Sequence, residues 1–155
     1  MNKHIKALVM DVDGTLTDGG IYMSKDGEIM KKFHVKDGYA IKHMLPNHNI
    51  VPIVLTGRKS MIVTKRCEEL GITEVVQGSY NKVKELTDIA NRLQIDLEHI
   101  AYIGDDVNDF EAMQLVGVRG CPCNAVRDVK NICEFVATVN GGDGAVREFI
   151  EWLLN

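Results

Sequence analysis

The chain has 155 residues, 45% of them hydrophobic and 26% charged, with a formal net charge of −4. That length suits one domain spanning residues 1–155, able to bury about 70% of the surface its unfolded chain exposes. The acidic balance without a long block of like charges argues against a nucleic-acid-binding arm, and no apolar run approaches the ~20 residues of a membrane span.

The start, Met1-Asn2-Lys3-His4, lacks the apolar core of a signal peptide, so a cytoplasmic location is expected. Cys67, Cys121, Cys123 and Cys133 then read as reduced, structural thiols. Cys121-Pro122-Cys123 with Cys133 lacks a well-placed fourth ligand for zinc.

Ile5 to Met10 reads as a buried strand, interrupted by Lys6, and leads into Asp11-Val12-Asp13-Gly14-Thr15. Two aspartates one residue apart at a strand end point the same way along the pleat. Like charges ~4 Å apart repel by roughly 4 kcal/mol at an effective dielectric of about 20, a cost that a bound cation removes. Taken alone, this stretch fits a solvated turn or a partial calcium loop as well as an enzyme site.

Next come Ile21 to Ser24 and Glu28 to Phe33, flanking Lys25-Asp26-Gly27, a hairpin turn signal; the pattern predicts a hairpin over about 20–33. A two-stranded ribbon is marginal alone and must pack on something. His34 to Gly38 is polar, and Tyr39 to Leu45 reads as a short helix stopped by Pro46. Ile50 to Leu55 is the second core strand, with Pro52 tolerable only near its start.

Ser60 can cap a helix that carries Val63, Cys67 and Leu70 and ends at Gly71. Thr73 to Val76 is a short strand, and Val83, Leu86, Ala90 and Leu93 mark a helix beginning near Asn81. Ile100 to Ile103 is a buried strand ending in Gly104-Asp105-Asp106. Phe110 to Val116 reads as helix, Val118 opens another strand, Val126 to Cys133 is helical and Phe135 to Val139 is the last strand. After the loop Gly141 to Gly144, Val146, Phe149, Ile150, Leu153 and Leu154 line a final helix.

Strands alternating with helices predict an α/β fold, a Rossmann-like parallel sheet with helices on both faces. In such sheets ligands bind beyond the carboxyl ends of the strands. Asp11, Asp13, Thr56 and Asp105 each follow an apolar strand and so share one rim, with Lys82 at a nearby helix start. Three carboxylates there suit a hard cation such as Mg2+, held by Asp11, Asp105 and the main-chain carbonyl of Asp13. A phosphate dianion entering that anionic rim needs the cation, with Lys82 and the Thr56 hydroxyl as further donors.

The order Asp11-Val12-Asp13-Gly14-Thr15, Leu55-Thr56-Gly57-Arg58, Lys82 and Gly104-Asp105-Asp106-Val107-Asn108-Asp109 resembles the haloacid dehalogenase-like phosphohydrolases. The resemblance implies the same metal set, Asp11, Asp13 and Asp105. It further implies that Asp11 is the nucleophile forming an aspartyl-phosphate and that Asp13 is the acid and then the base. Asp109 would orient Lys82, and Asp106 would lie close to the metal without touching it. Acids at a helix start also serve as ordinary caps, which equally accounts for Asp106 and Asp109.

Within that superfamily the chain is similar to a cap-less group, the 3-deoxy-D-manno-octulosonate 8-phosphate phosphatases of lipopolysaccharide biosynthesis. The likeness runs through the first aspartate motif to Asp18-Gly19, the hairpin, Val35-Lys36-Asp37-Gly38-Tyr39, Thr56-Gly57-Arg58 and Gly141-Gly142-Asp143-Gly144-Ala145-Val146-Arg147-Glu148. It implies substrate contacts from Asp13, His34, Val35, Lys36, Asp37, Gly38, Lys42, Arg58, Arg66 and Lys82. His34 stands where asparagine is usual, and Lys42 where arginine is usual, losing the planar fork that grips a carboxylate. Arg58 and Arg66 also fit as ordinary helix charges.

Related enzymes act on nine-carbon sialic-type acid 9-phosphates, but tend to carry an acid at the position of Arg58. The hairpin occupies the place of a mobile cap, leaving the site open unless another subunit covers it. The resemblance implies a homotetramer whose hairpins associate, which would cover Ile21, Met23, Ile29 and Phe33. Two other classes compete: a non-catalytic oligomerising lobe linked to sialic acid activation, and a phosphorylated receiver domain. The first needs a damaged site, and the second places its acidic pair and its acceptor aspartate on different strands.

Overall fold

The computed structural model describes residues 4–155; Met1, Asn2 and Lys3, and with them the reading of the chain's start, lie outside the described residues. The strands are β1 (Ala7–Met10), β2 (Tyr22–Ser24), β3 (Gly27–Met30), β4 (Val51–Leu55), β5 (Glu74–Val76), β6 (Ile100–Ile103), β7 (Val118–Cys121) and β8 (Phe135–Val136). Six of them form one parallel sheet in the order β5-β4-β1-β6-β7-β8, and β2 and β3 pair antiparallel as a separate hairpin. The helices are α1 (Val35–Tyr39), α2 (Leu45–Asn47), α3 (Met61–Leu70), α4 (Lys82–Leu93), α5 (Val107–Leu115), α6 (Arg127–Ile132) and α7 (Ala145–Leu154).

The apolar strands are buried on both faces, as a parallel sheet between two helix layers requires. Leu8 and Met10 join Val54, Ile103, Ile41, Val63 and Phe149 in one core. Their neighbours Ala7 and Val9 join Ile53, Tyr102, Leu86, Met113 and Val129 in the other. Alternation along β1 therefore sends successive side chains towards the Ala40–Met44 turn, α3 and α7 on one side and α4, α5 and α6 on the other. No helix among the described residues is long and apolar enough to cross a membrane.

Several boundaries differ from the sequence expectation. Helical structure starts at Val35 rather than Tyr39, because the His34 ring accepts from the Lys36 N–H and caps it. It then runs through a widened turn, Ala40–Met44, into α2, which contains Pro46 rather than ending before it. In that turn the Leu45 N–H bonds five residues back to Ala40, relaxing the ladder where proline offers no donor.

Pro52 sits second in β4, a central strand. The Val51 N–H faces β1 through Lys6 O, so the missing proline donor lies on the other side, where pairing with β5 begins only at Ile53. The hairpin ladder ends at Met30 instead of Phe33, and Phe33 bridges to Thr17 and packs on the core. Helix α5 begins three residues before Phe110, because Asp106 and Asp109 form a reciprocal capping box. The last strand stops at Val136, short of Val139.

Candidate active site

The rim begins at the end of β1. After Met10 the chain enters a wide turn, Val12–Leu16, closed by the Thr17 N–H donating to Val12 O at 3.0 Å. Gly14 takes a left-handed backbone, φ 89°, and a Cβ there would overlap Asp105 Oδ2 and lie 2.8 Å from its Cγ. Only glycine meets both demands, so the turn can press against the end of β6. The Thr17 hydroxyl oxygen accepts from the Gly14 and Gly19 N–H groups and stiffens the turn from below.

Parallel pairing of β1 with β4 and β6 in aligned register brings Asp11, Thr56 and Asp105 to one edge. Asp11 and Thr56 are buried. The Asn81 side chain accepts from the Lys84 N–H and starts α4, which delivers Lys82 to the same edge with its side chain buried. The Lys82 ammonium donates to Asp11 Oδ1 at 2.9 Å and to Asp109 Oδ1 at 2.7 Å. Ligand oxygens of Asp11, Asp105 and Asp109 all lie within 4.8 Å of one another.

These three carboxylates are not equivalent. Asp109 accepts from Lys82 and the Tyr102 hydroxyl (2.8 Å) through Oδ1, and from the Asp105 and Asp106 N–H groups through Oδ2. With four donors it is an anchor for Lys82 rather than a metal ligand, and its capping role is fulfilled at the same time. Asp105 accepts one hydrogen bond, from the Thr15 hydroxyl at 3.0 Å, and faces Asp11. Asp106 is exposed and caps Val107.

Burial raises the Asp105 carboxyl to about 6, with the Asp109 charge adding to it. Burial, then the Asp109 charge, hold Asp11 well above the ordinary range although Lys82 pulls the other way. For Lys82 burial works against the ammonium, yet Asp11 and Asp109 outweigh it and its pKa is raised. One ammonium thus pairs with two of three crowded carboxylates, Asp11 and Asp109, and leaves Asp105 without a cation. Paired hard oxygen donors whose protonation is favoured by burial and then by the Asp109 charge fit a small divalent cation between Asp11 and Asp105.

Asp13 lies apart from this cluster. Its Oδ1 accepts from the Lys31 ammonium at 2.5 Å, and Lys31 also pairs with Glu28 at 3.1 Å. Glu28 accepts from the Ser60 hydroxyl at 2.5 Å, and the half-exposed Arg58 guanidinium stands 3.4 Å from its other oxygen. The hairpin therefore contributes a side chain to the rim of its own chain. The end of β3 turns Lys31 inward, drawn by the Asp13 carboxylate.

The remaining residues expected to meet substrate form a second group. His34 heads α1, and Asp37 is buried, accepting from the Arg147 N–H at 2.8 Å. Burial raises the Asp37 carboxyl to about 6. Arg66 lies over the Phe33 ring and pairs with Glu69, while Lys42 donates to the Glu69 carbonyl. Val35, Gly38, Lys42 and Arg66 line a shallow groove of about 200 Å³, and Lys36 lines another with Arg147. No hydrogen bond or ion pair among the described residues joins this group directly to Asp11, Asp105 or Lys82.

Sequence reasoning missed Lys31, Glu28 and Tyr102. A lone tyrosine in the apolar run Ile100-Ala101-Tyr102-Ile103 was a readable signal, since a buried phenol needs a partner. Lys31 carries no such signal beside Lys32. The four cysteines are free, with Cys67 and Cys121 buried and Cys123 exposed.

Residues 60–150 match the haloacid dehalogenase-like hydrolase family. The chain is 41% identical over 152 residues to the 3-deoxy-D-manno-octulosonate 8-phosphate phosphatase of Escherichia coli, covering 98% of this chain and 80% of that protein. A structure of the phosphatase from Moraxella catarrhalis, with a magnesium ion, a phosphate ion and a KDO molecule, superposes with TM-score 0.93 at 39% identity, covering 98% and 87% of the two chains. A cobalt-bound form from Haemophilus influenzae gives TM-score 0.94 at 38% identity, covering 98% and 88%.

Proposed function

Because the chain belongs to the haloacid dehalogenase-like hydrolases, we propose that its rim performs the reaction named for its relatives. It is a phosphoric monoester hydrolase that converts 3-deoxy-D-manno-octulosonate 8-phosphate to the free sugar acid and phosphate, with Mg2+ as cofactor. The observation that carries this reading is the buried Lys82 ammonium bridging Asp11 and Asp109 beside Asp105. A merely structural ion pair does not need a third, unneutralised carboxylate.

In this reading Asp11 attacks phosphorus as the ester P–O bond breaks, giving an aspartyl-phosphate. Asp13 donates its proton to the departing sugar oxygen. The resulting carboxylate then takes a proton from the water that attacks phosphorus, which releases phosphate and restores both aspartates. Lys82, held by Asp109, places positive charge against the transferring oxygens, and Thr56 adds a hydroxyl donor. Asp11, Asp105 and the Asp13 carbonyl would hold magnesium, which supplies charge neutralisation for the phosphate when bound.

Arg58, exposed on the rim, is the candidate partner for the substrate carboxylate, with Lys42, Arg66 and the 34–38 segment as further contacts from this chain or a neighbouring subunit. The exposed apolar side chains Met23 and Ile29 of the hairpin support assembly into a homotetramer. Residues 1–155 act as one domain, and the cytoplasm is the expected location. The deciding experiment ranks sugar-acid phosphates by kcat/KM with magnesium present. Preference for the eight-carbon 8-phosphate is expected, and preference for a nine-carbon 9-phosphate refutes the substrate assignment.

A further inference from the structure

The residue after β3 is a lysine that solvent does not reach. The Lys31 side chain is 0% exposed, with its ammonium 2.5 Å from Asp13 Oδ1 and 3.1 Å from Glu28 Oε2. Lysine is rarely buried, because its ammonium gives up strong hydration. Here two carboxylates compensate. Ser60, the cap of α3, donates to the same Glu28, and Arg58 stands beside it. A single chain of contacts thus runs from the loop after β4, through the hairpin, to Asp13.

Fastening a hairpin does not by itself call for this arrangement. A desolvated ion pair is often no more stabilising than apolar side chains of similar volume. Met23, Ile29 and Met30 show that apolar side chains are available on this ribbon, yet an ammonium is what meets Asp13. Asp13 has no hydrogen bond to Lys82 or Asp109, whose contacts go to Asp11 and Tyr102. Its side chain would otherwise choose among rotamers at the rim of an open turn. A general acid must be placed within hydrogen-bond reach of the leaving oxygen, and about 1 Å of misplacement can cost on the order of 100-fold in rate.

Resting on the reading of Asp13 as acid and base, we propose that Lys31 is a positioning residue. It holds Asp13 Oδ1, so that proton exchange with the leaving oxygen falls to Oδ2, and it ties that orientation to seating of the hairpin in the same chain. The hairpin is then a built-in part of the proton-transfer step as well as a surface for assembly.

The test is the dependence of kcat/KM on leaving-group basicity, read with aryl phosphates from p-nitrophenyl phosphate to phenyl phosphate in saturating magnesium. A well-placed acid makes the wild-type rate nearly independent of the phenol. Lys31→Met keeps the length and removes the charge. It should change p-nitrophenyl phosphate hydrolysis less than about 3-fold but slow phenyl phosphate by about 10- to 100-fold, part of the 10²–10⁴ a general acid supplies. Lys31→Arg should restore the shallow dependence, which a purely packing role does not predict.

Glu28→Gln, which loosens Lys31 from the far side, should steepen the dependence in the same direction and serves as the test should Lys31→Met not fold. Equal slowing of every phenol, or no slowing of any, overturns the proposal. Failure of wild type to hydrolyse octulosonate 8-phosphate refutes the substrate reading alone, since the aryl series decides Lys31 without it. Absence of all magnesium-dependent phosphatase activity refutes both.

Discussion

Gly141 offers a test of how the far end of the chain supports the turn that carries Asp11 and Asp13. A methyl group at this position would overlap the Gly14 carbonyl oxygen, lie 2.5 Å from the Gly14 carbonyl carbon and 2.9 Å from Thr17 O. All of these are backbone atoms that cannot rotate away. Ordinary carbon contacts need 3.4 Å or more, so Gly141→Ala must move either its own loop or the turn that carries Asp11 and Asp13 by roughly 1 Å. Overpacking of this kind costs about 1–3 kcal/mol, and a domain of this size loses roughly 2–4 °C in Tm per kcal/mol. Moving the turn by about 1 Å lowers kcat/KM on the order of 100-fold.

The control is Gly71→Ala, where φ is +71° and nothing lies within 4 Å of the added methyl. That substitution meets backbone strain of about 1–2 kcal/mol at the end of α3, away from the rim, and should lower Tm without lowering turnover. Thermal melts and steady-state kinetics of both variants separate strain from displacement. Wild-type kcat/KM in Gly141→Ala, with a lowered Tm, would falsify the claim that this glycine seats the turn proposed to carry the chemistry.

Arg58→Ala should lower kcat/KM for octulosonate 8-phosphate by roughly 10- to 200-fold, the loss of one charge-assisted hydrogen bond of about 1.5–3 kcal/mol, and barely alter p-nitrophenyl phosphate hydrolysis; equal loss on both assigns Arg58 to the phosphate site instead. In the metal-free protein Asp105 is raised to about 6 and Asp11 is raised as well, so the folded state binds more protons than the unfolded state between about pH 4 and 6. These groups therefore lower stability as pH rises through that window, and Mg2+, which needs them ionised, should raise Tm more at pH 7.5 than at pH 5. An equal magnesium shift at both pH values contradicts the assigned ligands. Replacing Ile21 and Ile29 with glutamate should dissociate the proposed homotetramer and lower activity together, and a fully active monomer by light scattering refutes the role given to the hairpin.

The alternation of apolar strands with 3.6-period helices was legible because each element's burial is written in its own neighbourhood. The caps Ser60 and Asn81 and the stop at Gly71 stand where local backbone chemistry asks for them. The same holds for Asp11, Thr56 and Asp105, because in a parallel sheet every strand's carboxyl end faces one edge. Boundaries were less legible where a side chain competes with a local signal. Pro46 reads as a helix stop, yet a widened turn absorbs its missing donor, and that choice depends on Ile41 and Leu45 reaching the core.

What the sequence determined by itself was the rim: which strands end there, and that carboxylates and a lysine gather on it. What only the tertiary structure decided was which partners hold each of them. Lys82 and Asp11 are 71 positions apart and Lys31 and Asp13 are 18 apart, so no periodicity or motif spacing encodes their contacts. The resemblance already made Asp109 the residue that orients Lys82, but the convergence of Tyr102 and two backbone N–H groups on the same carboxylate was visible only in the fold. Lys31, indistinguishable in sequence from Lys32, turned inward while Lys32 paired with Asp143 at the surface. Charge type is a local property of a sequence, but desolvation and pairing come from whatever folding packs beside it, and these govern what each charge does.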